Sequence, residues 1–267
     1  MNKLAMIGAG AMGQAIAKGL VQAGLYKARD ICFFARRIEI LEGLKHQHGY
    51  DFATSLDELI NNLEAGSSLM FAVKPQGIDQ VLADMPELDP SILLISVLAG
   101  TKISKFQKRF PQNPIIRVMP NTPSQIMKGA SGIAANSNCS EQNIKTVQAM
   151  FDAIGLAVVV EEKDLDVVTG LSGSGPAYVF LMIEAMAEAA TKLGLNEEAA
   201  QALALQTVYG AASLAKISDK TPGELRVQVT SPNGTTAAGL DSLEKNGLKE
   251  IVFRAVAAAK ARSEELG

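Results

Sequence analysis

Short apolar runs punctuate the first half of the chain at residues 4–7, 31–34, 69–73, 92–98 and 115–119. Runs of this length, divided by stretches with helical spacing, predict strands joined by helices. Residues 12–23 form one such helix, with Gly24 placed to close it just past the last turn. Near-continuous apolar strands joined by helices imply a parallel sheet covered on both faces. Two further strand-like pieces follow at 131–135 and 156–160. Between them Ser140 is set to cap a helix that runs to Ile154 and ends at Gly155. From Asp164 the β-branched runs give way to Ala, Leu, Met and Glu. Residues 176–195 read as an apolar helix with a single polar stripe, Glu184, Glu188 and Lys192, which implies burial in a core or against a partner subunit. More helices are expected over 197–215, from the capping box Thr221-Pro222-Gly223-Glu224, and over 248–265 beyond the break at Asn246-Gly247. The fold class is therefore α/β, a doubly wound sheet over residues 1–162 followed by an all-helical domain over 163–267.

Composition narrows the partners. A chain of 267 residues, 48% of them hydrophobic, suits about two domains with a sizeable core. A net charge of -3 offers no general attraction to nucleic acid or to an anionic membrane. Cys32 and Cys139 make no disulfide framework and suit buried positions in a reducing compartment. The chain enters its first strand with no basic, apolar leader, so a cytoplasmic location is expected. No segment reads as a membrane span, no Cys, His and carboxylate spacing suggests a metal, and no aromatic-interleaved basic patch suggests nucleic acid.

The chemistry begins at Gly8-Ala9-Gly10-Ala11-Met12-Gly13, which follows a predicted strand and opens a helix. That context makes the spacing credible as a dinucleotide loop and the domain Rossmann-type. Gly8 permits the tight turn, Gly10 the approach of backbone to a pyrophosphate, and Gly13 close helix–strand packing. The helix start, through Ala11 and Met12, supplies amides and a positive dipole end. The second strand should finish beside the adenosine ribose, where an NAD site places Asp or Glu. This chain has Ala35-Arg36-Arg37, and a guanidinium pairs with a 2′-phosphate instead. NADPH is the expected cofactor, read by Arg36 with Arg37 as the alternate and NADH as the second choice. Two merely solvated arginines are the plain alternative.

Other strand ends converge on the same crevice: Ala72-Val73-Lys74-Pro75-Gln76, Ser96-Val97-Leu98-Ala99-Gly100 and Met119-Pro120-Asn121-Thr122-Pro123. Cofactor contacts are expected from Ala72, Val73, Lys74, Pro75, Ala99 and Asn121. Lys74 reads equally well as a solvated loop lysine. A second Gly-containing element, Ser231-Pro232-Asn233-Gly234-Thr235-Thr236, feeds a helix near Thr235. Its amides and dipole suit a small carboxylate, with hydroxyls from Ser231 and Thr235 and close approach at Gly234.

These motifs, with Arg117-Val118-Met119-Pro120-Asn121-Thr122-Pro123, Thr169-Gly170-Leu171-Ser172-Gly173-Ser174-Gly175-Pro176-Ala177-Tyr178 and the Ala237-Ala238-Gly239-Leu240 that follows Thr236, resemble the pyrroline-5-carboxylate reductase family in order and spacing along essentially the whole chain. The resemblance implies NAD(P)H-dependent reduction of 1-pyrroline-5-carboxylate to L-proline, the last step of proline biosynthesis. Hydride passes from nicotinamide C4 to the imine carbon. A small-molecule cyclic imino acid is held by Ser231, Gly234, Thr235 and Thr236. Thr236 matches the threonine that the family sets beside the imine nitrogen and is the catalytic candidate. Asp219 falls where relatives carry an acidic residue near the active site. The resemblance also implies a homodimer of interlocked helical domains with a shared active site, assembling further into decamers in many relatives. One departure is Asn233, where the family usually has Gly; Asn tolerates left-handed backbone, so the loop is expected to keep its shape. A protonated imine needs positioning more than acid–base help. His46 and His48 are therefore placed on a surface connection and left out of the chemistry. The glycines and Ser174 of residues 169–178 wall the ligands or allow close packing, and Asp164 and Asp166 read as interdomain or capping groups.

Two rivals remain in view. A β-hydroxyacid dehydrogenase would need a lysine one turn beyond Gly173-Ser174-Gly175, and none occurs before Lys192. A non-catalytic NADPH-sensing module would keep the first loop but has no use for the hydroxyls of the second.

Overall fold

In a computed structural model describing residues 3–266, the apolar runs become the strands of one eight-stranded sheet. These are β1 (Leu4–Ile7), β2 (Ile31–Phe34), β3 (Asp51–Phe52), β4 (Ser68–Phe71), β5 (Leu93–Ser96), β6 (Ile115–Met119), β7 (Gly129–Ala135) and β8 (Gly155–Val159). Their order is β3-β2-β1-β4-β5-β6-β7-β8. Its first six strands have the doubly wound order, with the direction of winding reversed between β1 and β4, where such sheets bind ligands beyond the strands' carboxyl ends. β1, β4 and β5 are buried at every position, which is why they are apolar apart from Ser68 and Ser96 at strand ends.

Helices cover both faces: α1 (Ala11–Gln22), α2 (Ile38–His48), α3 (Leu56–Asn61), α4 (Ile78–Asp84), α5 (Ile103–Arg109) and α6 (Glu141–Asp152). One face gathers Ile16, Leu20, Phe33, Val147 and Phe151; the other gathers Ile7, Leu69, Leu94 and Phe106. Gly24, at φ 71°, follows the end of α1. Ser140 and Asn143 form a reciprocal capping box at the start of α6.

Three features differ from the sequence expectation. β3 was not foreseen, because a two-residue edge strand is too short to carry a period. The sheet is mixed, not all parallel: β7 runs antiparallel to β6, pairing Val118 with Ile133 and Met119 with Gly132. Residues 120–128 hold only a short 3-10 turn, too little for the crossover that a parallel partner requires, so the chain reverses. The return from β7 to β8 includes α6 and is parallel. His46 and His48 lie in the last turn of α2, not in a connection, and both are exposed.

The second part is helical: α7 (Leu165–Val168), a wide turn at Thr169–Gly173, then α8 (Gly175–Lys192), α9 (Glu197–Ile217), α10 (Pro222–Gln228), α11 (Thr235–Lys245) and α12 (Leu248–Leu266). The chain divides into two compact units. The sheet unit runs through Ser174 and takes in the last turns of α12 from Ala257, and the helical unit is Gly175–Val256. In the helical unit only a thin seam is buried, Ala187 of α8 against Ala200 and Ala204 of α9. Most of the remaining apolar surface of α8 and α9 is exposed, Phe180 and Leu181 at 64% each. No described helix is long and apolar enough to cross a membrane.

Candidate active site

The first loop is built by steric necessity. Gly8 has φ 111°, and its amide donates to the Phe34 carbonyl at 2.8 Å, tying the loop to the end of β2. A Cβ at Gly8 would fall 2.5 Å from the Ala72 carbonyl oxygen, so β4's exit loop occupies the space a side chain would need. Gly13 meets the Gly8 carbonyl in the same way, at 2.8 Å. Gly10 is different: a Cβ there would touch nothing within 4 Å, and the residue is exposed. Gly10 is also the N-cap of α1 and has no side chain to cap the helix. The Gln14 side chain turns back to the Ala9 carbonyl at 2.8 Å. The amides at Ala11 and Met12 thus head a helix whose positive end faces outward without a protein cap.

Around this loop, Arg36 and Arg37 are exposed just beyond β2, with no ion pair for either among the described residues. Ala72 donates its amide to the Ile7 carbonyl at 2.8 Å, so Ala72 and Val73 lie directly beside the glycine turn. Lys74 is exposed and Pro75 opens a 3-10 turn. Ala99 is half-buried, next to Gly100 at φ 71°. Asn121 is buried, and its side chain braces the loop from within. It accepts from the Ala130 amide at 2.9 Å and donates to the Ser172 carbonyl at 3.0 Å. One amide hydrogen and one oxygen lone pair of the Asn121 side chain are left beyond these two bonds.

In the helical unit the Gly234 amide closes a turn on the Ser231 carbonyl at 3.0 Å, with Asn233 at φ 56°. Gly234 is then the N-cap of α11, again without a side-chain cap, and Ser231, Thr235 and Thr236 are exposed. A Cβ on Gly234 would press on the Ser231 carbonyl oxygen at 3.1 Å. Asp219 is exposed between α9 and α10. Residues 169–174 belong to the sheet unit: Ser172 and Thr169 hydroxyls donate to the Val168 and Leu165 carbonyls, and Gly173 sits against the Met119 side chain. Among the described residues no group of His, Cys, Asp and Glu could hold a metal.

Two family models match consecutive parts of the chain: residues 3–100 match NADP oxidoreductase, coenzyme F420-dependent, and residues 162–266 match pyrroline-5-carboxylate reductase dimerisation. The pyrroline-5-carboxylate reductase of Synechocystis is 41% identical over 99% of this chain and 98% of its own. The chain belongs to the pyrroline-5-carboxylate reductase family. The Arabidopsis thaliana enzyme of the same name is 38% identical over 99% of this chain and 95% of its own length. Among solved structures, the Coxiella burnetii pyrroline-5-carboxylate reductase superposes with a TM-score of 0.92 at 35% identity, covering 100% of this chain and 98% of that one. The Plasmodium falciparum pyrroline carboxylate reductase, solved with NADP bound, gives 0.86 at 35% identity with the same coverage.

One group was not read from the sequence. Arg117, only 2% exposed, is the middle residue of β6 and has two carboxylates near it. Glu162 is 3.5 Å from one guanidinium nitrogen and Asp166 is 3.7 Å from the other. Asp166 in turn accepts a 2.6 Å hydrogen bond from Ser263, near the end of α12. An arginine in the middle of an otherwise apolar strand was the available signal, because a buried charge requires a partner.

Proposed function

We propose that this chain reduces 1-pyrroline-5-carboxylate to L-proline with NADPH, acting in the cytoplasm as a homodimer that can assemble further, to a decamer at the largest. NADH is the second donor. The residues present fit the cofactor: the open face at Gly10 leaves room for a pyrophosphate against uncapped amides, and the exposed Arg36 has no ion pair among the described residues. Bound NADPH supplies the hydride. What the chain does is hold and orient. Ala11, Met12 and Gly13 present the α1 dipole to phosphate, and Arg36 answers the 2′-phosphate that a carboxylate at this place would repel.

The observation that carries the substrate reading is the turn over residues 231–234. Asn233 takes the left-handed conformation that the turn demands, and the turn delivers an uncapped helix start with hydroxyls on both sides. A single carboxylate there is matched by backbone amides and needs no buried cation. The Thr236 hydroxyl donates to a neutral imine nitrogen or accepts from the iminium without ionising. An alcohol substrate would require a base instead, and the first lysine of α8 is Lys192, at its far end and ion-paired with Glu188.

The test follows loss of NADPH absorbance on adding pyrroline-5-carboxylate, with NADH and, separately, a 3-hydroxy acid plus NADP as parallel arms. Imine-dependent turnover is expected, faster with NADPH, and Thr236→Ala lowers kcat by about a hundredfold while NADPH still binds. Oxidation of the 3-hydroxy acid with no imine turnover would overturn the reading.

A further inference from the structure

We propose that Arg117, with Asp166 and Ser263, is a positioning cluster that sets the nicotinamide end of the cofactor site. The inference rests on the cofactor face described above and extends it to residues that touch no ligand. Alternate residues of a strand share a face, so Arg117 and Met119 of β6 point the same way. Met119 meets Gly173, where a Cβ would come within 2.6 Å of its terminal methyl. Two residues further on, Asn121 is fastened to the Ser172 carbonyl at 3.0 Å. The exit loop of β6 therefore takes its position from residues 162–173, and Arg117 is the charge buried between them.

The same cluster reaches a second exit loop. Glu162 lies 3.5 Å from the Arg117 guanidinium, and the same Oε1 atom accepts the Ile103 amide at 2.6 Å. Ile103 begins α5, just beyond the Ala99-Gly100-Thr101 turn at the end of β5. One buried cation thus couples the two strand ends, at Ala99 and at Asn121, that the cofactor face requires on its nicotinamide side. Ser263, 3% exposed, orients the Asp166 carboxylate through its 2.6 Å bond. The guanidinium Nη2 atom next to Asp166 has no hydrogen-bond partner among the described residues. The cluster is held by charge and by its carboxylates' other bonds, so removing one of those bonds changes its geometry.

The experiment is a single-turnover reaction with NADPH and pyrroline-5-carboxylate, both saturating, on Ser263→Ala, Ser263→Thr and Arg117→Lys. A misplaced nicotinamide slows hydride transfer in every competent molecule, so the rate constant falls about tenfold or more in Ser263→Ala and Arg117→Lys. Ser263→Thr, which keeps the hydroxyl, restores the parental rate. A merely structural cluster would lower the amplitude, the fraction of competent molecules, and leave the rate constant unchanged; that result overturns the proposal. Ser263→Ala deletes one oxygen and keeps the test readable if Arg117→Lys does not fold. Binding of NADPH to Arg36→Glu is measured alongside. Parental affinity there would overturn the cofactor face itself, whatever the single-turnover rates show.

Discussion

Asn233 stands at φ 56°, one of two non-glycine residues of the described chain with a left-handed backbone. That conformation costs most L-residues about 1–2 kcal/mol, and Asn less, because its short side chain bonds locally. Asn233→Ala is therefore expected to destabilise the protein by about 1 kcal/mol and to lower kcat, whereas Asn233→Gly keeps both. Thermal unfolding and steady-state turnover of the two variants check this; equal behaviour of Ala and Gly would contradict it. A second residue-scale effect is electrostatic. Burial, and then the negative charges of Asp51 and Glu58, push the Cys32 thiol up to about 11. In the unfolded chain the thiol ionises near 9.0. Between these values the unfolded state holds fewer protons, so rising pH favours unfolding. The Cys32 contribution is complete below the lower value and lost as pH climbs through the higher. Cys32→Ala should flatten the alkaline fall in stability relative to the parent, as measured by denaturant midpoints across that range. At neutral pH the native thiol should also resist alkylation, since the thiolate is the nucleophile.

At the scale of elements, α1 shows how packing overrides propensity. Gly19 sits mid-helix, where Gly is worse than Ala by about 1 kcal/mol. Yet a Cβ there would lie 2.0 Å from Cγ2 of Ile154, a branched and fully buried neighbour. Gly19→Ala is expected to cost about 1–3 kcal/mol despite the better helix former, and part of that loss is recovered in the double variant with Ile154→Ala. Urea midpoints for the three proteins give the coupling; simple additivity would show that the contact is not the cause. The elements were largely legible because buried strands and capped helices announce themselves locally: β1, β2 and β6, the α6 cap at Ser140 and the α10 box at Thr221 all lie at the positions read from the pattern. What escaped reading was relational. The direction of β7 is set by a connection too short for a crossover, and no residue within 129–135 encodes it. The glycine loop was legible because its geometry is compressed into six neighbouring residues. The Arg117 cluster was not, because its partners at 162, 166 and 263 come from distant parts of the chain. Asn121 was singled out as a contact residue, and its side chain also braces the loop, a role visible only once Ala130 and Ser172 are in place.

Across the whole molecule, the helical unit does not account for its own surface. Phe180, Leu181 and Tyr209 are each 64% exposed, Leu203 and Leu205 59% and 57%, while only alanines are buried where α8 meets α9. A groove of about 1000 Å³ along these helices has apolar walls at Phe180, Leu181, Ile183 and Leu205 and a polar rim at Glu184, Glu188 and Lys192. Contiguous apolar surface of this kind is costly to leave in water. Residues 162–266 match the pyrroline-5-carboxylate reductase dimerisation family, which supports a second copy as the cover for this surface. Leu181→Glu would place a charge on that exposed apolar face, where a covering copy would have to bury it. It is expected to weaken association by about 2 kcal/mol or more, roughly thirtyfold, giving a monomer by light scattering at concentrations where the parent is dimeric. The sheet unit has its own two-faced core, so the variant should still bind NADPH. Loss of imine reduction together with retained NADPH binding would show that the reaction needs the assembled helices. A Leu181→Glu protein that turns over normally as a monomer would show instead that each chain carries a whole active site.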